Sequence, residues 1–220
     1  AVELARLNLL LKMVGRKMKL PNLDSNIVEG NSLISGDEKE LKKYFGKNWK
    51  DKKSVNWQEK FPEVFKQGGF DIIIGNPPYV DVRKINLDEK KYLFDNFSCT
   101  ENRTNTFSIF IEKSLALLRE GGYLSFIIPN TILSHSSYRR LREKILKECL
   151  IVSIFDLGKD VFKDATVDTV VVVLKKNKNI RENQSNNVKV IKKNEEKLEN
   201  LSFKQNLYAV NEDKKFLTYS

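Results

Sequence analysis

The chain has 220 residues, 40% hydrophobic and 10% aromatic, a globular composition that excludes a disordered or fibrous chain. A formal net charge of +10 favours a polyanionic partner, nucleic acid first. No apolar run is long enough to cross a bilayer, nothing at the N-terminus reads as a secretory leader, and Cys99 and Cys149 stand in unrelated contexts. The expectation is a pair of reduced thiols and a cytoplasmic location.

Leu4, Leu7, Leu11, Val14 and Met18 recur at three- and four-residue spacing and predict a helix with one apolar face, closed by Pro21-Asn22. No capping residue precedes it, so the chain reads as one that opens inside a domain. Ile27-Val28 leads through Glu29-Gly30 to Asn31-Ser32, a short strand ending in a polar turn. Residues 36–69 are polar and lysine-rich, but Trp49, Trp57, Phe61 and Phe65 imply that this connection packs onto the body. Residues 70–74 (FDIII) form a compact apolar run that predicts a buried strand, stopped by Gly75-Asn76-Pro77-Pro78-Tyr79. After a polar loop with a short helix, Phe107, Phe110, Ile111, Leu115 and Leu118 mark an amphipathic helix stopped by Gly121-Gly122.

Residues 123–128 (YLSFII) predict another buried strand, ended by Pro129-Asn130. Leu141, Ile145 and Leu146 mark a helix that carries Arg139, Arg140, Arg142, Lys144 and Lys147 on its other faces. Strands follow at 150–155 and 169–174, joined without a helix, which permits an antiparallel edge pair. Lys175–Asn187 reads as a linker, and 188–220 as the start of something else. The alternation of strands and helices predicts an α/β fold: an open, largely parallel sheet with an antiparallel edge strand.

Open α/β sheets bind ligands at the carboxyl ends of their strands. Three such ends are chemically loaded: 30–32, 76–79 and 129–130. In the second, two prolines fix φ and remove two donors, and the residue before them is pushed into an extended conformation. The Asn76 amide is therefore aimed, and its oxygen and the Pro77 carbonyl form two acceptors directed at one point. Two acceptors suit an exocyclic NH2 group, which has two hydrogens to donate. Holding both draws that nitrogen toward tetrahedral and localises its lone pair, ready to attack a methyl donor. Tyr79 supplies an aromatic face for a flat base. No titratable base is required before transfer.

The run from Phe70 to Tyr79 resembles the catalytic motif of amino-group methyltransferases that use S-adenosyl-L-methionine. Three further stretches are similar to N6-adenine-specific DNA methyltransferases of type II, IIG-like, restriction-modification systems. They are 56–65 (NWQEKFPEVF), 118–130 (LREGGYLSFIIPN) and Asp156-Leu157-Gly158 through Val161–Thr169. The resemblance covers about residues 1–176 and implies a partial Rossmann-like methyltransferase sheet. It implies that Asn76 and Pro77 hold the adenine N6 amino group, with Pro78 stiffening the turn. Tyr79 would stack on the base and Phe162 would pack on the flipped base edge-on. Asn31, where family members often have Asp, would contact the cofactor's adenine, and Phe110 would border the cofactor.

The family's glycine-rich cofactor loop is absent, since no Gly-x-Gly occurs in the 220 residues. The resemblance thus implies a truncated core. Residues 1–176 would be a partial catalytic domain, inactive alone and leaving the 27–31 strand without its neighbour. Residues 177–220 would be a linker and the beginning of a target-recognition region. The implied partners are double-stranded DNA and the remainder of a longer enzyme: its N-terminal cofactor loop, a nuclease domain where one is present, and a C-terminal target-recognition domain. Two other readings stay open: methylation of another planar amine, in a release-factor glutamine or an RNA base, and an inactive basic DNA-binding fragment. His135, without clustered acids or cysteines, reads as a surface or helix-start residue rather than a metal ligand. The basic helix at 138–147 presents a solvated face that could also meet phosphates.

Overall fold

The computed structural model describes residues 2–14, 23, 25–100, 104–158, 167–193, 197–216 and 218. The chain divides into two compact units, Ala1–Pro62 and Glu63–Ser220. No described helix is long and apolar enough to cross a membrane.

The first unit contains α1 (Val2–Val14), α2 (Glu38–Phe45), a 3-10 stretch (Gly46–Lys52) and α3 (Trp57–Lys60). Helix α1 forms as its spacing predicts, but Leu4, Leu7, Leu11 and Val14 are all exposed; Met18, Pro21 and Asn22 lie outside the described residues. Asp37 caps α2 by accepting from the Glu40 amide at 2.8 Å, and Leu41 and Phe45 on its inner face are buried with Leu33, Ile34 and Val55. The strand expected at 27–31 does not form. Asn31 makes one isolated parallel bridge with Ser54, its amide donating to the Lys53 carbonyl at 2.7 Å. Gly30 is pressed so closely on Lys53 and Val55 that a Cβ would lie 2.4 Å from the Val55 side chain. Within the first unit the aromatics of the connection at 36–62 make local contacts: Trp57 stacks on Phe61 at 5.9 Å and donates through Nε1 to the Ser32 carbonyl.

The second unit is built on one sheet. Its strands are β1 (Phe70–Gly75), β2 (Leu118–Pro129), β3 (Cys149–Gly158), β4 (Thr169–Lys176), β5 (Asn187–Lys193) and β6 (Leu198–Lys204), in spatial order β1-β2-β4-β3-β5-β6. Its helices are α4 (Pro62–Lys66, at the junction), α5 (Leu87–Asn96), α6 (Thr106–Leu117), α7 (Arg139–Glu148), α8 (Ile180–Ser185) and α9 (Gln205–Val210). The fold is α/β with a mixed sheet. β1 runs parallel to β2 and β5 parallel to β3, whereas β4 is antiparallel to both its neighbours and β6 antiparallel to β5. The antiparallel pair read from 150–155 and 169–174 is therefore present but interior, because β5 and β6 carry the sheet further.

Alternation decides the layers. Leu124, Phe126 and Ile128 of β2 share a face with Val170, Val172 and Leu174 of β4, Ile151 and Ile154 of β3, and Val188 and Val190 of β5. Phe107, Ile111 and Leu115 of α6 and Leu141 and Ile145 of α7 close over that face as one core. The opposite face differs from the expectation of strands buried on both sides: Ile72 and Ile74 of β1 are 59% and 77% exposed, and Tyr123 beside them is 39% exposed. An unbroken apolar run predicts two covered faces; the helices of this unit named above close over one. Among the described residues no strand pairs with the outer edge of β1.

Three further readings are corrected. Gly121-Gly122 do not stop the helix: α6 ends at Leu117, and the glycines lie inside β2, at a bulge between the Phe70↔Leu118 and Ile72↔Tyr123 pairs. Gly121 has φ +76°, and a Cβ on Gly122 would lie 2.9 Å from the Phe70 carbonyl oxygen, so the bulge needs both. Lys175–Asn187 is not a plain linker. Lys176 ends β4 with its ammonium donating to the Leu115 and Leu118 carbonyls at 2.7 and 2.6 Å, capping α6, and α8 follows. Gln205 of α9 then acts like a piece of strand, accepting from the Ile151 amide and donating to the Cys149 carbonyl. Finally, Arg142 is not on a solvated face but fully buried.

The guanidinium of Arg142 uses all three nitrogens. It donates to the carbonyls of Ile132 (3.0 Å), His135 (2.8 Å), Asp213 (2.7 Å) and Lys214 (3.1 Å). Burial lowers its pKa to about 10, so it stays charged at neutral pH. The same two segments meet again where the Phe216 amide donates to the Leu133 carbonyl at 2.8 Å. His135 caps the 3-10 turn Ser136–Tyr138, as read. Both cysteines are free and buried, and burial pushes each thiol up to about 12. Cys99 sits over α6, where Glu112 accepts from the Ser98 and Cys99 amides and holds the end of the preceding loop.

Candidate active site at the Asn76 turn

The turn leaves the carboxyl end of β1, the edge strand of the described sheet, beside β2. Gly75↔Phe126 is the last register pair, and a Cβ on Gly75 would lie 3.0 Å from the Phe126 ring, so the strand enters the turn in close contact with β2. Asn76 and Pro78 are exposed, Pro77 is buried and Tyr79 is half-buried. The prolines alone do not hold the turn. Thr106, first residue of α6, donates through Oγ1 to the Pro78 carbonyl at 2.5 Å and accepts from the Val80 amide at 3.1 Å. Its own amide donates to the Val80 carbonyl at 2.8 Å. The next residues are tied to the same place by the Val82 amide on the Thr104 carbonyl and an antiparallel bridge between Asp81 and Asn105. One side chain at a helix start thus locks both sides of the turn.

The Tyr79 hydroxyl lies 3.0 Å from Asn76 Oδ1 and 3.0 Å from the Ile127 carbonyl oxygen. Its ring meets Phe107 edge-on at 6.3 Å and 84°, and Phe107 in turn contacts Tyr138 at 5.0 Å. Burial raises the Tyr79 pKa, so the phenol remains protonated and a donor at neutral pH. Asp81 is held at about 2 by the Arg83 side chain and amide, so it stays ionised. The third loaded strand end is closed by its neighbour: the Asn130 amide donates to the Asp168 carbonyl at 2.9 Å, and its side chain approaches the Asp168 carboxylate at 3.4 Å.

Asn76, Pro77, Pro78 and Tyr79 stand together as one turn, with Asn76 and Pro78 exposed. Phe110 lies on α6, the helix whose first residue clamps that turn, half-buried against the core. Asn31 lies in the first unit, with Oδ1 accepting from the Leu33 amide at 3.1 Å. Phe162 lies outside the described residues. Thr106, Phe107 and the Ile127 carbonyl are contributors that the sequence pattern does not reveal: a threonine at a helix start reads as a cap, and a carbonyl carries no side-chain signal. Among the described residues no group of three or more His, Cys, Asp or Glu side chains could hold a metal ion.

The sequence pattern described as Eco57I restriction-modification methylase matches residues 1–162. The chain belongs to this family. Within it, the type II restriction enzyme and methyltransferase RM.Eco57I of Escherichia coli is 31% identical over 165 residues, which are 73% of this chain and 15% of that protein. The type II methyltransferase M.TthHB8I of Thermus thermophilus is 37% identical over 114 residues, 49% of this chain and 26% of that protein. This Eco57I-family chain therefore spans only a minor part of the length of either relative. In fold it is similar to the type IIL restriction-modification enzyme MmeI, solved in complex with DNA, with TM-score 0.51 and 17% identity over 68% of this chain and 20% of that one.

Proposed function

We propose that this Eco57I-family chain is catalytic core of an adenine-specific DNA methyltransferase of a restriction-modification system. It would act on the N6 amino group of an adenine rotated out of the duplex. The observation that carries this reading is the Asn76–Tyr79 turn: an exposed amide oxygen beside a proline carbonyl and an aromatic ring, clamped by Thr106 and Ile127. Asn76 Oδ1 and the Pro77 carbonyl would accept the two amino hydrogens and leave the nitrogen lone pair directed outward. The Tyr79 ring would stack on the base, and Phe162 would pack against it edge-on. The net charge of +10 suits the phosphate backbone.

S-adenosyl-L-methionine, when bound, supplies an electrophilic methyl group. Asn31 and Phe110, the residues assigned to the cofactor, each have chemistry that suits a flat purine, considered separately. Asn31 has its oxygen engaged by Leu33, which leaves the Nδ2 hydrogens as donors for a ring nitrogen; Phe110 offers a half-buried ring. The carboxylate and ammonium of the cofactor would need groups outside this chain, which has no Gly-x-Gly. The greater length of the relatives supports the rest of a longer enzyme as its partner, with residues 177–220 as a linker and the start of a target-recognition region.

In the intact protein, methyl label from S-adenosyl-L-methionine is expected in duplex DNA, at adenine N6, and not in RNA or release factor offered side by side. Label in RNA or protein instead would overturn the substrate assignment. Salt-sensitive DNA binding with no transfer to any acceptor would favour an inactive DNA-binding role.

A further inference from the structure

The Tyr79 hydroxyl has one hydrogen and two acceptors, Asn76 Oδ1 and the Ile127 carbonyl, each at 3.0 Å. The Ile127 carbonyl belongs to the sheet and cannot turn; Ile127 is one residue past the last β1–β2 pair. The Asn76 carboxamide is exposed, and among the described residues the hydroxyl is its one recorded hydrogen-bond partner. A carboxamide is nearly symmetric in shape but not in chemistry. A half-turn about its last bond exchanges an acceptor oxygen for a donor nitrogen. A donor NH2 facing a substrate NH2 repels it, so the turn works in only one of the two orientations.

We propose that the Tyr79 hydroxyl is a positioning group that selects the working orientation of the Asn76 carboxamide. This inference rests on the methyltransferase reading above and deepens it. The hydroxyl donates to one lone pair of Oδ1 and so keeps oxygen, not nitrogen, on the substrate side; the second lone pair remains for the substrate amine. The Ile127 carbonyl, which can only accept, competes for that one hydrogen and holds the hydroxyl only when the hydrogen turns away from Oδ1. Tyr79 thus has two separable parts: a ring that stacks and a hydroxyl that orients its neighbour.

The two parts come apart in Tyr79→Phe, which keeps the ring. In the intact protein, this variant is expected to lower the single-turnover methyl-transfer rate about tenfold, the loss of one hydrogen bond, with DNA affinity within about twofold of the parent. Asn76→Asp removes the asymmetry, because either carboxylate oxygen accepts. In that background the added Tyr79→Phe change is expected to alter the rate by less than about twofold. An unchanged rate in Tyr79→Phe, or an equal penalty in both backgrounds, overturns the proposal. Where Asn76→Asp is too slow to time, the side-chain amide resonances of Asn76 decide. A move toward free-asparagine values in Tyr79→Phe supports the proposal, and unmoved resonances overturn it. Asn76→Ala keeps the two levels apart. If it is inactive while Tyr79→Phe is normal, only the orienting role falls; if it is active, the catalytic reading falls as well.

Discussion

Replacing Asn76 by alanine is expected to lower methyl transfer by ~10²–10³-fold while leaving thermal unfolding unchanged. The scale is that of removing one preorganised polar group from a site where charge or geometry changes in the transition state, about 3–4 kcal/mol. The fold should not notice. Asn76 is exposed, and its recorded side-chain partner, the Tyr79 hydroxyl, keeps the Ile127 carbonyl when the amide is gone. The turn itself is held by backbone and by Thr106, neither of which the substitution touches. Single-turnover transfer to DNA and a melting curve on the same sample make the comparison. A rate within tenfold of the parent would remove the amide from the mechanism, and a large drop in melting temperature would make it a structural residue instead.

Arg142→Met is expected to destabilise the protein by about 3–5 kcal/mol, since four carbonyls lose a charged donor and that of Ile132 is on a buried residue. For a unit of this size that is a fall of roughly 10 °C in the unfolding midpoint. Methionine matches the volume of the stem, so the loss reports hydrogen bonds rather than a cavity. Arg142→Lys should recover only part of it: an ammonium is a point donor and cannot span segments at 132–135 and 213–214 as the planar guanidinium does. Chemical denaturation of the three proteins reads the effect directly. A change below about 1 kcal/mol for the methionine variant would show that the carbonyls find water and that the buried cation is not what joins the two segments.

The two residues differ in how visible they are before folding. The Asn76 turn is legible because its constraint is local: two prolines and an aromatic after an apolar run fix the backbone with no help from elsewhere. The core strands are legible for the same reason. Arg142 is not, because it reads as one more cation on a basic helix, and its partners at 213–214 are carbonyls about seventy residues away. The stretch from 175 onward misleads by composition. Lysine and asparagine dominate it, yet Val188 and Val190 turn inward with Lys189 between them, and a glutamine supplies the hydrogen bonds of a strand. Residues 70–74 mislead in the other direction, since an apolar run does not say which face will be covered. The clamp on the turn was beyond reach because it depends on which helix start the fold delivers to Pro78. Of the expected site residues, the turn at 76–79 stands as one unit with α6 behind it, whereas Asn31 belongs to the first unit.

The two buried thiols turn the protein into its own clock. Held neutral by burial, neither Cys99 nor Cys149 can react while its surroundings are closed, so alkylation proceeds only as fast as the structure opens around it. They stand at different stations: Cys99 on the loop gathered by Glu112, Cys149 at the first residue of β3 under the Gln205 side chain. The order in which they become labelled therefore tells which part of the second unit lets go first, the approach to α6 or the seam where its last helix is joined to the sheet.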